Sequence, residues 1–146
     1  MNKAICSLNF VYSMERFATA IYRVQRGGFK QKVVSERMDY AVDNERQHAE
    51  SLKKRLIDTH HTPFPLAFLF QFAGIMLGGI TKCFGKTLAL KTDVAIEKRA
   101  VKDYSYFLRT SKYDSETQEL IKNIIADEER HIRNWQDSIK VVKGKT

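Results

Sequence analysis

The chain has little with which to stop a helix. Two prolines and seven glycines serve 146 residues, and four of those glycines fall between Gly74 and Gly85. Proline and glycine cost most inside a helix, so their scarcity leaves long stretches free to be helical. Cysteine is equally sparse. Cys6 and Cys83 stand alone, which excludes a disulfide scaffold and any thiolate metal spacing. They read as free thiols in a reducing compartment. The first residues, Met1 to Cys6, lack the long apolar stretch of a secretory signal, so a cytoplasmic location is expected. Acidic residues are in deficit: 25 Lys and Arg against 17 Asp and Glu give a net charge of +8. Nucleic acid, an anionic membrane surface or simple solubility would each account for that sign. No nucleic-acid motif is present, so nucleic acid is not an expected partner. Lys143 and Lys145 read as a frayed basic tail.

What the sequence does have is helical periodicity. Four segments, 8–26, 30–58, 87–110 and 115–142, carry apolar residues at alternating steps of three and four. The first seam is Leu8, Val11, Glu15, Ala18 and Tyr22. The second is Val34, Met38, Ala41, Glu45, His48 and Leu52. The third is Leu90, Val94, Glu97, Val101, Tyr104 and Leu108, and the fourth Ile121, Ile124, Glu128, His131, Trp135 and Val142. Gly27-Gly28 and the stretch from His60 to Pro65 break the pattern, and Gly85 kinks or ends the apolar segment 66–83. The expected architecture is all-α: one domain over 1–146, a four-helix bundle with an extra apolar helix between its second and third helices.

Six of those seam positions hold residues that do not belong in an apolar core. A lone Glu15 precedes Glu45-x-x-His48 by 30 residues, and a lone Glu97 precedes Glu128-x-x-His131 by 31. A buried carboxylate is costly unless it is paired or coordinates a metal. Glu and His three apart share a helix face, so each Glu-x-x-His offers one oxygen and one nitrogen to a common point. Four carboxylates and two imidazoles in a bundle are the donor set of a dinuclear metal centre. Glu15 and His48 are expected on one ion, Glu97 and His131 on the other, with Glu45 and Glu128 bridging. Such donors suit two iron ions, with manganese as the alternative. A single Glu-x-x-His is a weak signal; two copies with matching upstream glutamates are not.

Neighbouring polar residues are read more plainly. Glu129, Arg130, Arg46 and Glu50 are expected in solvent or around the ligands, and His60 and His61 in an exposed loop. Asp43 and Asp127 could each hydrogen-bond a ligand imidazole or form a surface ion pair. Tyr104 either approaches the metals or simply fills the core.

In this ligand order, and in the run Phe72-Ala73-Gly74-Ile75-Met76-Leu77-Gly78-Gly79 followed by Phe84-Gly85-Lys86 and Asp93-Val94-Ala95-Ile96-Glu97, the chain resembles the demethoxyubiquinone hydroxylases. These are di-iron monooxygenases of coenzyme Q biosynthesis in the ferritin-like superfamily. The resemblance runs from about Met14 to Val142. It implies hydroxylation of a lipophilic quinone ring with O₂ and two electrons from an external reductant. It also implies that Glu15, Glu45, His48, Glu97, Glu128 and His131 hold the iron, and that Tyr104 matches a tyrosine of the third ligand helix. Asp103 stands where the family usually has histidine, and Thr87 where it tends to have glutamate.

From Phe64 to Ile80 no residue is charged. At 17 residues this run is near the lower limit for a membrane span. One reading is a buried or homodimer-interface helix with Gly74, Gly78 and Gly79 allowing close approach. The other, favoured by the resemblance, is a surface that dips into the inner face of a membrane. A rubrerythrin-like single-domain peroxidase or ferroxidase is the alternative enzyme, and a metal-free helical interaction protein the non-enzymatic one.

Overall fold

The computed structural model describes residues 3–144, so Lys145 of the expected tail and Met1 and Asn2 of the leader reading lie outside the described residues. These residues form five α-helices and no strand. They are α1 (Lys3–Gln25), α2 (Lys32–Asp58), α3 (Ala67–Phe84), α4 (Lys86–Thr110) and α5 (Ser115–Val142), with a 3-10 turn at Arg26–Gly28 after α1. The all-α expectation holds, and the chain is a ferritin-like helical bundle. The first helix begins five residues earlier than its periodicity predicts.

Short links make consecutive helices double back. α1 packs on α2 and α4 on α5, giving two hairpins, while α3 lies along the outside of α1. Gly85 separates α3 from α4 with a φ of 112°, a backbone region that residues bearing a Cβ rarely enter. The core divides into two apolar clusters. One gathers Leu8, Val11, Leu52, Leu56, Ile121 and Ile124. The other gathers Ile21, Val34, Met38, Leu90 and Trp135. All six expected ligands are buried, at chain positions between those that supply the two clusters.

The α4 seam differs from its sequence reading. Val94, Val101 and Leu108 are only partly buried, whereas Asp93 and Ala100 are buried. The inward line runs Leu90, Asp93, Glu97, Ala100, Tyr104, so the helix is turned by about one residue relative to its valines.

The apolar helix α3 is not a buried helix. Its buried residues are Ala67, Gly74, Gly78 and Thr81, while Phe68, Leu69, Phe72, Ile75, Met76 and Ile80 are exposed. Gly74 and Gly78 lie directly against the α1 backbone at Phe17 and Ile21, and Gly79 faces open space. The glycine approach is therefore made within the chain, by two of the three glycines. Among the described residues α3 is the one helix long and apolar enough to cross a membrane, by length and composition only.

The start of α5 is fixed by charge. Asp114 accepts from Thr117 N at 2.8 Å and pairs with Arg55 of α2 at 2.6 Å. The Thr117 amide and then Arg55 hold its carboxyl down from 3.8 to about 2. A depressed carboxylate stabilises the fold above its unfolded pKa and loses that contribution as pH falls through the folded value. Asp114→Ala should therefore cost about 1 kcal/mol at neutral pH, the usual value of such a cap. The difference from wild type should vanish between pH ~4 and ~2, as read by urea melts across that range.

Candidate metal centre

Each hairpin delivers three donors: Glu15 from α1 with Glu45 and His48 from α2, and Glu97 from α4 with Glu128 and His131 from α5. They meet as two overlapping groups, Glu15, Glu45, His48, Glu128 and Glu45, Glu97, Glu128, His131, each with donor atoms within 4.8 Å of one another. Glu45 and Glu128 are common to both. His48 Nδ1 lies 3.0 Å from Glu15, 3.6 Å from Glu45 and 3.4 Å from Glu128. His131 Nδ1 lies 2.9 Å from Glu45, 3.2 Å from Glu128 and 3.5 Å from Glu97.

The electrostatics of the cluster's side chains are those of charges sharing protons. Burial alone would lower the pKa of His48, but hydrogen bonds to Glu128, Glu15 and Glu45 carry it far up. His131 behaves alike, opposed by burial and raised by Glu128, Glu45 and Glu97. Burial, then the charges of Glu128 and Glu45, raises Glu97 well above the ordinary carboxylate range. Metal ions fit this donor set. Glu45 Oε1 and Glu128 Oε1 are buried, and the imidazole Nδ1 atoms that approach them are shared with the other carboxylates of the cluster. A cation between the carboxylates would satisfy both, and would replace the protons now compensating the cluster.

The surrounding polar groups repeat by halves. Tyr104 donates to Glu15 Oε1 at 2.5 Å, and Tyr22 donates to Glu97 Oε1. Each tyrosine stands seven residues after one half's lone glutamate and ties down the other half's. Helical spacing alone marks Tyr22 as core beside the candidate Tyr104; the seven-residue step from Glu15 to Tyr22 is the signal in the sequence. Burial, then the nearest glutamate, raises the pKa of both phenols, so both remain hydrogen-bond donors at neutral pH. Asp127 Oδ2 lies 3.0 Å from His48 Nε2. Asp43 instead sits on the surface, 3.9 Å from Arg46. Asp103 pairs with Arg99 at 2.6 Å, and His60 and His61 lie in the link after α2.

A second buried polar group escaped the sequence reading. Gln25 Nε2 donates to Asp93 Oδ1 at 3.1 Å and to Thr81 Oγ1 at 2.9 Å, joining α1, α4 and α3. Burial pushes the Asp93 carboxyl well up. Nothing in helical spacing marks a glutamine near a helix end as a partner for an aspartate sixty-eight positions away.

A cavity of about 370 Å³ lies between α1, α2 and α3, lined by Tyr12, Thr19, Ala20, Ala49 and Ile75 and rimmed by Arg16, Arg23, Arg46 and Lys53. None of the six donors lines it. Two of its lining residues adjoin donors along the chain: Thr19 donates to the Glu15 carbonyl at 2.7 Å, and Ala49 follows His48.

A helical bundle with four carboxylates and two imidazoles gathered inside it falls in the class of ferritin-like proteins with an interior site able to bind metal. Within that class the assignment is specific. Residues 13–138 match the family model "Ubiquinone biosynthesis protein COQ7", and the chain belongs to that family. Membership implies hydroxylation in ubiquinone biosynthesis, an oxidoreductase activity. No curated protein gives a significant match.

Proposed function

We propose that the chain is an O₂-dependent di-iron monooxygenase that hydroxylates the ring of a lipophilic quinone precursor. The observation that carries the reading is the pair of donor groups sharing Glu45 and Glu128 inside a chain of this family. Two iron ions, or manganese in their place, would be held by Glu15 and His48 on one side and Glu97 and His131 on the other, with the shared carboxylates between. When bound, the metal pair would supply the redox chemistry that activates O₂. The overall reaction turns a ring C–H into C–OH and releases one water. It consumes O₂, two protons and two electrons from an external reductant.

The chain's own residues hold and shield. Tyr104 and Tyr22 each bind one oxygen of a lone glutamate and leave the other for a metal. Asp127 holds the His48 ring. The two apolar clusters keep bulk water from the site. The cavity beside Thr19 and Ala49 is the place for the substrate ring. Ile75 belongs both to its lining and to the exposed face of α3, so an apolar tail would run from the ring onto that face. Peripheral contact of α3 with a membrane, with Lys82 in its last turn and Lys86 at the start of α4, would support delivery of such a substrate.

The test is anaerobic iron loading followed by exposure to O₂, with and without quinones of increasing tail length. Quinone should accelerate oxidation of the cluster and be hydroxylated. Rapid turnover of peroxide with no response to any quinone would replace this reading by the rubrerythrin-like one.

A further inference from the structure

The two halves of the site carry the same donors at matching places but set them among different neighbours. The lone glutamates, the tyrosines seven residues on, and the two Glu-x-x-His pairs all correspond. The residue before the shared glutamate does not: it is Asp127 before Glu128, and Asn44 before Glu45. The difference reaches the imidazoles. His48 turns Nδ1 toward the carboxylates and has Asp127 behind it, 3.0 Å from Nε2. His131 also turns Nδ1 inward, but its Nε2 is buried with no hydrogen-bond partner. Its ring is instead enclosed by those of Tyr22, Tyr40 and Trp135, at centroid distances of 6.5, 6.1 and 6.3 Å. Asn44 spends its amide on Asp127, 3.3 Å away, and its Oδ1 is likewise unpartnered.

We propose that the two metal positions are unequal by construction: the position at Glu15 and His48 fills first and holds its ion more tightly than the position at Glu97 and His131. The proposal rests on the dinuclear reading of the site. Its cause lies in Asp127 and Asn44 acting as positioning residues through the rings they do or do not hold. A carboxylate on the distal N–H of a ligating imidazole fixes its orientation and makes the inner nitrogen a better donor; such partners are worth about 10- to 100-fold in metal affinity. His48 has one. His131 keeps its distal N–H desolvated and unpaired, which weakens it as a ligand. The flanking charges do not account for the inequality. Asp127 is itself paired with Arg130 at 2.5 Å, and Arg130 reaches Tyr40 at 2.5 Å on the His131 side.

The decisive variant exchanges the two side chains: Asn44→Asp with Asp127→Asn in one protein. It leaves net charge and composition unchanged and keeps an Asn–Asp pair at the same place. The metal-free protein is titrated with Co²⁺ alone by calorimetry and by NMR of the Trp135 indole N–H. Trp135 is the one tryptophan of the chain and lies against His131. In the wild type two ions should bind with affinities about 10- to 100-fold apart, and most of the indole shift should arrive with the second. In the exchanged protein the order should invert, the first ion producing most of the shift. Asp127→Asn alone should lose the tight step, and Asp43→Asn, a surface control, should change neither step. Two ions bound with equal affinity, or an exchanged protein that keeps the wild-type order, would overturn the inequality while leaving the dinuclear site standing. Fewer than two ions in the wild type would overturn both.

Discussion

Glu128→Ala should lower quinone hydroxylation by about three orders of magnitude, the scale of losing one member of a unit that works only as a whole. Its helical circular dichroism should be unchanged. Glu128 belongs to both donor groups, so its loss strips an oxygen from each metal position at once. Bound metal should fall below two ions per chain. The metal-free fold should survive, because the apolar clusters on either side keep their contacts. The Glu97 carboxyl should also titrate lower, since after burial the Glu128 charge is the chief influence holding it up. Glu129→Ala is the matched control: one residue on, exposed, and expected to retain near wild-type turnover. A Glu128→Ala protein that still binds two ions and turns over at the wild-type rate would remove the shared carboxylates from the mechanism.

Gly74→Ala should be among the most destabilising single changes outside the metal centre. A Cβ built at Gly74 would collide with the carbonyl oxygen of Phe17 and lie 3.0 Å from Ala20 Cβ. The obstacle is helix backbone, which cannot rotate aside, so the whole of α3 must move. Overpacking of this kind costs about 3 kcal/mol, or a melting temperature lower by about 10 °C in a chain of this size. Hydrogen exchange should locate the damage in α3. Gly79→Ala should have the opposite sign. Nothing lies within 4 Å of the added carbon, and removing a helix-interior glycine should gain up to about 1 kcal/mol. Equal melting temperatures for both variants would mean that α3 is not seated on α1 through Gly74.

What the amino-acid sequence discloses and what it hides divide along physical lines. A carboxylate on an apolar seam contradicts its surroundings, so Glu15, Glu45, Glu97 and Glu128 could be picked out by spacing, and the structure brings them together with His48 and His131. Hydrogen-bonded partners are harder. Tyr22 is an ordinary core residue on its seam, and in the sequence only its seven-residue spacing from Glu15, matched by Tyr104 and Glu97, sets it apart. Asp43 and Asp127 read alike, yet each residue turns a helix by about 100°, and the one-residue difference in their offsets sends one to solvent and the other to His48. Periodicity also misplaced α4. Val94 and Val101 are the apolar choices, but Asp93 has Gln25 to receive it, and Ala100 is small enough to sit inside. For α3 the apolar composition runs all round the helix, so the inward face cannot be read from hydrophobicity. It is set by the absence of side chains at Gly74 and Gly78, which turns the bulky residues outward.

The sharing of Glu45 and Glu128 reaches beyond coordination. Neither hairpin holds a complete donor group: the group around His48 borrows Glu128, and the group around His131 borrows Glu45. A metal ion can therefore be fully held only when the two hairpins are docked. By linkage, whatever free energy the ions gain on binding is returned to the association of α1–α2 with α4–α5. Ions bound there would act as rivets between two halves whose adjoining surface includes mutually repelling carboxylates. The supply of metal would thus set not only whether the protein can react, but how firmly its halves stay closed.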